Sequence, residues 1–256
     1  MMSKILELDN ISLTYHTNTE EIVAIKDISF CVDEAEFVAI VGPSGCGKTT
    51  ILSIINGLLK PSTGKVLINN TLVDGINNET GYMFQRDCLF NWRTIWQNVS
   101  LPFEIKKKVN EERIDFLKGL LKKYGLSEFE NRYPNQLSGG MRQRVALIRT
   151  LAQNPSILLL DEPFSALDYQ TRLKVCDDIS SIITEQRKTA VMVTHDISEA
   201  ISVADKVIVL SQRPGKIKNI FETNLRSFGS PLKRREHPDF RILFDKIWKE
   251  IQFNDK

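Results

Sequence analysis

Eight residues, Gly42-Pro-Ser-Gly-Cys-Gly-Lys48-Thr49, carry the clearest chemistry in the chain. They fit G-x-x-x-x-G-K-[ST], a spacing in which glycines let successive amide N–H groups curl around phosphate oxygens where a Cβ would obstruct. Lys48 would reach the outer phosphates of a nucleotide, and the Thr49 hydroxyl would ligate Mg²⁺. Acids follow the apolar run Ile157-Leu-Leu-Leu160: Asp161 is placed to hold Mg²⁺ and Glu162 to sit where water attacks a γ-phosphate. The stretch Leu137-Ser-Gly-Gly-Met-Arg-Gln-Arg144 reads as another anion cradle. There Ser138 is a helix N-cap, Gly139 and Gly140 expose backbone N–H groups, and the helix dipole points outward.

These groups need a scaffold that brings strand ends to helix starts. Phe37-Val-Ala-Ile-Val41 is a β-branched run suited to a strand buried on both faces, and it stops at Gly42. From Thr49 to Leu59 apolar residues recur at helical spacing, with Pro61 marking the end. The pattern is strand, glycine loop, helix. Ile157–Leu160 and Ala190–Thr194 read as further buried strands, and Ile5–Leu8, Val66–Ile68 and Tyr82–Phe84 as short ones. From about Arg86 to Asn154 the chain is helical in pattern and rich in charge, as in Glu104 to Lys108 and Glu111 to Lys123. Strands and helices alternate again from Ile157, as a parallel α/β core demands. The segment from about Arg226 holds Arg234-Arg235, Pro238 and an apolar-periodic helix from Phe240 to Phe253, to which no site is assigned.

Composition narrows the class. The 256 residues carry 34 Lys and Arg against 32 Asp and Glu, a net charge of +2 that disfavours a nucleic-acid reader. Cys31, Cys46, Cys88 and Cys176 are far apart, with no C-x-x-C pair, so neither a zinc site nor a disulfide framework is indicated. The opening MMSKILELDN lacks the apolar core of a signal peptide. The apolar stretch from Phe37 to Leu59 is broken by Gly42, Pro43, Gly45, Gly47 and Lys48, so no membrane span is expected and the reading is cytosolic.

The segment from Leu137 to Arg144 resembles the signature motif of ATP-binding cassette (ABC) proteins, and the other motifs of that family follow in order over residues 3–225. Tyr15 is similar to the aromatic that stacks on adenine, Gln85 to the Q-loop glutamine, Ser165-Ala-Leu-Asp168 to the D-loop and His195 to the switch histidine. The resemblance implies an ATP-binding set of Tyr15, Gly42, Pro43, Ser44, Gly45, Cys46, Gly47, Lys48, Thr49 and Thr50. It implies catalytic roles for Glu162, His195, Lys48 and Gln85, and Mg²⁺ held by Thr49, Gln85 and Asp161. Ser138, Gly139, Gly140 and Met141 would act in trans on the nucleotide of a second copy, with Asp168 communicating across that interface. Two positions depart from the commonest pattern: Thr49-Thr50 replaces Ser-Thr and preserves both hydroxyls, and Met141 replaces a Gln and removes a polar contact.

The implied fold is an α/β P-loop NTPase with a RecA-like parallel-sheet core, an N-terminal antiparallel β subdomain and an inserted α-helical subdomain over about 86–154, followed by a C-terminal helical tail over 226–256. The implied activity is Mg²⁺-dependent ATP hydrolysis, with ATP and Mg²⁺ as cofactors, by a homodimer that sandwiches two ATP molecules. The partners would be transmembrane permease subunits and, indirectly, an extracytoplasmic solute-binding protein, with no nucleic acid; the subunit would sit peripherally at the cytoplasmic face of the membrane. Phe90, Trp92 and Trp96 are either helical-subdomain core or the lining of a groove for a permease helix.

Tyr133-Pro134 before the signature resembles an importer subunit, and within importers Phe90-Asn-Trp92, Ser165 to Arg172, Arg213-Pro-Gly-Lys-Ile217 and His237-Pro-Asp-Phe240 resemble the nitrate, sulfonate and taurine group, although Asn91 stands where that group commonly has proline. The alternatives are import of a pyrimidine vitamin precursor and a soluble, non-transport ABC ATPase. The latter usually carries coiled-coil insertions or a second cassette. An ATP-binding regulator without turnover is disfavoured by Glu162 and His195. Cys46, inside the glycine loop, predicts that thiol alkylation blocks nucleotide binding.

Overall fold

Strands buried on both faces need apolar residues at every position, and Phe37–Val41 and Ile157–Asp161 are buried throughout. The computed structural model describes residues 3–16, 20–107, 110–165 and 167–252; Met1, Met2, Lys108, Ala166 and Phe253, quoted above, lie outside that set. In chain order the strands are β1 (Lys4–His16), β2 (Glu21–Asp33), β3 (Phe37–Val41), β4 (Thr63–Ile68), β5 (Thr71–Leu72), β6 (Thr80–Met83), β7 (Ile157–Asp161), β8 (Thr189–Thr194), β9 (Lys206–Leu210) and β10 (Ile217–Glu222). The α-helices are α1 (Lys48–Asn56), α2 (Ile95–Ile105), α3 (Glu111–Lys123), α4 (Gly139–Leu151), α5 (Tyr169–Glu185), α6 (Ile197–Val203), α7 (Pro231–Arg234) and α8 (Pro238–Gln252).

A six-stranded sheet runs β10-β9-β3-β8-β7-β6, with only β10 antiparallel to its neighbour. A second, antiparallel sheet runs β2-β1-β4-β5. The two-residue period of the parallel strands divides the interior. Val38, Ile40, Leu159, Val191, Val193 and Ile208 face Ile51, Leu52 and Ile55 of α1 and the inner side chains of the antiparallel sheet. Ala39, Val41, Leu158, Leu160, Met192 and Val209 face the opposite core, built with α4, α5, α6 and α8. That second core runs on without a break into Ile95, Val99, Leu117 and Leu121 of the inserted helices. The mixed α/β fold expected from the sequence is therefore present, with its helical insertion packed onto one sheet face.

Three local details differ from the sequence reading. Helix α1 stops at Gly57 (φ 79°), whose N–H donates to Ile54 O, well before Pro61. Strand β2 was not legible, because in Glu21–Asp33 charged Lys26 and Asp27 interrupt the alternation at an irregular stretch of pairing with β1. Helix α8 begins at Pro238, where proline needs no backbone donor, and packs Leu243, Phe244 and buried Ile247 on the main core.

Candidate nucleotide site

In parallel α/β sheets ligands gather where strands end, and here five adjacent strands deliver side chains to one rim. β3 leads into the Gly42–Thr49 loop, β6 into Gln85, β7 into Asp161 and Glu162, β8 into His195, and β9 into the loop holding Arg213. The glycine loop is shaped by its backbone. Gly45 and Gly47 have φ of 76° and 98°, and a Cβ on Gly47 would lie 2.3 Å from Ile25 Cγ2, so only glycine lets the loop turn into α1 here. Gly47 is also the N-cap and supplies no side-chain acceptor, which leaves the first N–H groups of α1 open to an anion.

Tyr15, Ile22, Ala24, Ser44, Gly45, Gly47, Lys48, Thr49, Thr50, Glu162 and Arg213 line a cavity of about 280 Å³. Lys48 is buried, and its Nζ donates to Gly42 O (2.8 Å) and Pro43 O (2.9 Å), which fixes the ammonium under the loop. Thr49 Oγ1 donates to Asp161 Oδ1 (3.1 Å), and Tyr82 Oη donates to Asp161 Oδ2 (3.3 Å). Burial raises the Asp161 carboxyl above its ordinary range, and those two hydrogen bonds oppose the rise. Tyr15, half-exposed at the cavity mouth, has its hydroxyl 3.3 Å from Thr50 Oγ1.

Glu162 joins this cavity to a second one, lined by Gln85, Gly139, Ser165, Leu167 and His195 among others. Its backbone is left-handed (φ 44°), a conformation that costs a non-glycine residue about 1–2 kcal/mol, and it is held by Glu162 N donating to Val193 O (2.9 Å). The turn aims the carboxylate across the strand ends: Gln85 Nε2 donates to Glu162 Oε2 (3.2 Å), and His195 Nδ1 lies 3.1 Å from the same oxygen.

The family profile described as ABC transporter matches residues 25–165. An uncharacterized ABC transporter ATP-binding protein of Bacillus subtilis, YtlC, is 46% identical over 252 residues, covering 98% of this chain and 97% of that protein. The taurine import ATP-binding protein TauB of Roseobacter denitrificans is 35% identical over 251 residues, covering 95% of this chain and 94% of that one. Among solved structures, the dimeric post-hydrolysis state of an ATP-binding cassette bound to ADP and Pi matches with a TM-score of 0.74 at 36% identity, covering 86% of this chain and 99% of that one. The chain belongs to the ABC transporter family. It is an ATP-binding, ATP-hydrolysing subunit with the fold of the ABC ATPases.

The ABC fold brings some of the anticipated residues together and keeps others apart. Tyr15, Lys48, Thr49, Thr50, Asp161, Glu162, Gln85 and His195 converge on the rim. Ser138 lines a separate hollow with Thr171 and Lys174. It caps α4, its hydroxyl accepting from Met141 N (3.4 Å). The Met141 side chain is partly buried and packs against the main core. Asp168 caps α5 by accepting from Thr171 N (3.0 Å), and hydrogen bonding by the Thr171 side chain and backbone lowers its carboxyl pKa. Cys46 also departs from expectation: its side chain is buried in the core beside Lys48, with Sγ 3.8 Å from Nζ, and burial raises the thiol pKa. The thiol therefore faces the core rather than the nucleotide cavity.

The aromatic stretch after Gln85 divides. Trp96 packs on the core, whereas Trp92 is 75% exposed and stands 5.0 Å, ring to ring, from half-buried Phe90. Buried Asn98 holds that loop: its Nδ2 donates to Phe90 O, Arg93 O and Thr94 O, and its Oδ1 accepts from Phe90 N. Nothing in the sequence around Asn98 signals this role. Arg213 was quoted only for family likeness, yet it is exposed on a loop that Gly215 pins to β2 through Gly215 N donating to Ala24 O and Lys26 N donating to Gly215 O.

Proposed function

We propose that this ABC subunit powers import of a small anionic or zwitterionic solute of the nitrate, sulfonate and taurine class, through permease subunits fed by an extracytoplasmic binding protein. The motif likeness over Phe90–Trp92, Ser165–Arg172 and Arg213–Ile217 and the similarity to TauB support that class. Among the described residues no helix is long and apolar enough to cross a membrane, so translocation is assigned to other subunits and this one to the cytoplasmic face. Exposed Trp92, on a loop made rigid by Asn98, is the anchor offered to a permease helix.

One observation carries the dimeric reading. The chain has two glycine-bearing helix starts, and Ser138 of the second does not line the cavity that holds Lys48. A second copy brings its Ser138, Gly139 and Gly140 over that cavity, so that two ATP molecules are enclosed between two subunits. Asp168, at the start of α5, then lies at the joint between them.

The hydrolytic roles follow from the rim. Tyr15 offers a ring to adenine, and the Gly42–Thr50 loop cradles the phosphates. Lys48, held by two loop carbonyls, keeps its remaining donor capacity for a phosphate oxygen. Thr49 Oγ1 and Asp161 Oδ1 sit side by side as hard oxygen donors, a set that suits Mg²⁺, which takes one or two carboxylates together with phosphate oxygens and water. They would hold the ion with Gln85, and when bound it offsets the charge on the β- and γ-phosphates. Glu162 orients the attacking water and takes its proton; His195 holds the γ-phosphate region and keeps Glu162 in place.

Co-expression with a permease and binding protein, followed by reconstitution in vesicles, tests the assignment. ATP turnover is expected to rise several-fold with binding protein loaded with taurine, an alkanesulfonate or nitrate. Stimulation by a pyrimidine precursor instead would replace the solute class, and absence of any membrane subunit in the purified complex would overturn the transport reading. Trp92→Ala is expected to keep ATP affinity and weaken permease association; undiminished co-purification would remove Trp92 as the anchor.

A further inference from the structure

Arg172, in the first turn of α5, stands between the segment after Glu162 and the segment around His195. Its Nη2 donates to Leu167 O (2.9 Å), its Nη1 lies 3.7 Å from Asp196 Oδ2, and its Nε lies 3.7 Å from Glu199 Oε1. Asp196 and Glu199 are not independent of His195. Asp196 caps α6 by accepting from Ser198 N and Glu199 N, and Asp196 N donates to Thr194 Oγ1 (3.1 Å). Thr194 Oγ1 in turn donates to Glu199 Oε2 (2.8 Å). The residues immediately before and after His195 are therefore tied to one buried carboxylate, and that carboxylate faces one guanidinium.

Arg172 Nε is buried without a hydrogen-bond partner among the described residues, an arrangement that costs free energy and is rare in folded proteins. Glu199 Oε1 lies 3.7 Å from it, short of hydrogen-bond contact by well under an ångström. An approach that small completes the bond. It would draw Leu167, on one side, toward Thr194 and Asp196 on the other.

We propose that Arg172 and Glu199 are positioning residues that couple Leu167 and Asp168 to His195, so that seating a second subunit against Asp168 closes the Arg172–Glu199 contact and sets the histidine for turnover. The proposal rests on the reading of His195 and of the dimer given above, and neither residue touches nucleotide in it. Burial raises Glu199 to about 7, with the hydrogen bond from Thr194 opposing the rise. The other charged or titratable groups facing it are Asp196 of its own helix, Arg172 and Cys176 of α5, and His195 at the end of β8. The Cys176 thiol is pushed up to about 12 and stays neutral. From α7, Arg234 and Arg235 are engaged at Ser202, at the other end of α6. Ionised Glu199 attracts Arg172; protonated Glu199 does not, so the coupling is present above pH 7 and fades below it.

The test is steady-state ATPase activity of the intact subunit at saturating Mg-ATP across pH 6–8.5 for wild type, Arg172→Met, Arg172→Lys and Glu199→Gln, with thermal melting alongside. Arg172→Met is expected to lower kcat by about tenfold with KM for ATP within about twofold, and Arg172→Lys to fall between it and wild type. Wild type is expected to show a rise in kcat centred near pH 7, and Glu199→Gln to lack it; the comparison removes titration of the nucleotide itself, which both share. If Arg172→Met fails to fold, Arg172→Lys and Glu199→Gln decide. Variants that lose melting temperature but keep kcat and the pH limb would show a purely structural role and overturn the proposal. His195→Ala separates the underlying assignment: full turnover there would remove His195 from the mechanism whatever Arg172 does.

Discussion

The two glycine-bearing helix starts look alike in sequence and are built for different reasons. At Gly47 the backbone is left-handed, a Cβ would strike Ile25, and no side chain caps α1, so the open amides are the feature. At Gly139 and Gly140 the backbone is ordinary helix and Ser138 caps it. Gly140 is required by packing: a Cβ there would come within 2.7 Å of Thr171 Cγ2 and 3.1 Å of Val175 Cγ2 on α5. Glycine in the first cradle shapes a binding surface, and glycine in the second lets two helices approach. The first is assigned to the nucleotide of its own chain and the second to the nucleotide of a partner.

The largest expected effect bears on what lies between the cradles. Glu162→Gln should lower turnover by roughly a thousandfold while leaving ATP binding intact, and the nucleotide-bound dimer should accumulate on size exclusion. Turnover near wild type would take the proton-accepting role from Glu162. Gly47→Ala should cost ATP affinity by about a hundredfold, because strain and the Ile25 clash together displace the loop. Equilibrium binding of a fluorescent ATP analogue reads this, with circular dichroism showing that the fold persists.

Gly140→Ala makes the contrast directly. It should lower stability by about 1–3 kcal/mol through crowding against α5, and lower turnover, with single-subunit ATP affinity within about twofold of wild type. A large loss of affinity would mean that the second cradle serves its own chain's nucleotide. Ser138→Ala should cost about 1 kcal/mol through the lost cap and likewise spare affinity while reducing turnover. The smallest effect is expected at Cys46. Iodoacetamide should modify it slowly in the folded subunit, with activity retained, and rapidly once the chain is unfolded. Rapid modification protected by ATP would place the thiol in the cavity after all.

Legibility in the sequence followed locality. The Gly42–Thr49 loop, its flanking strand and helix, and the acids after Ile157–Leu160 could be read because each is one contiguous segment whose pattern states its backbone need. Motif order then supplied Tyr15, Gln85 and His195, none of which stands out alone. Asn98 remained invisible, since its four bonds reach a loop that takes shape only after folding. Trp92 and Trp96 are indistinguishable as residue types, yet one is exposed and the other packed on the core, because Trp96 lies on α2, which packs against α4, while Trp92 stands in the loop before that helix. Arg172 and Glu199 are charged residues in ordinary helical patterns, and only their meeting gives them meaning.

The sequence by itself determined the chemical inventory: a glycine loop that can turn toward phosphate, a lysine and hydroxyl at its end, and acids at the end of a buried strand. Those follow from backbone sterics and residue type over a few positions. The tertiary structure decided which distant segments share a rim. Parallel register of β6, β7, β8, β3 and β9 sets Gln85, Glu162, His195, Lys48 and Arg213 side by side, and the placement of α4 sets Ser138 in a separate hollow while Gly139 reaches the cavity of Glu162. Such placement depends on long-range pairing and core volume, which no short stretch of sequence encodes.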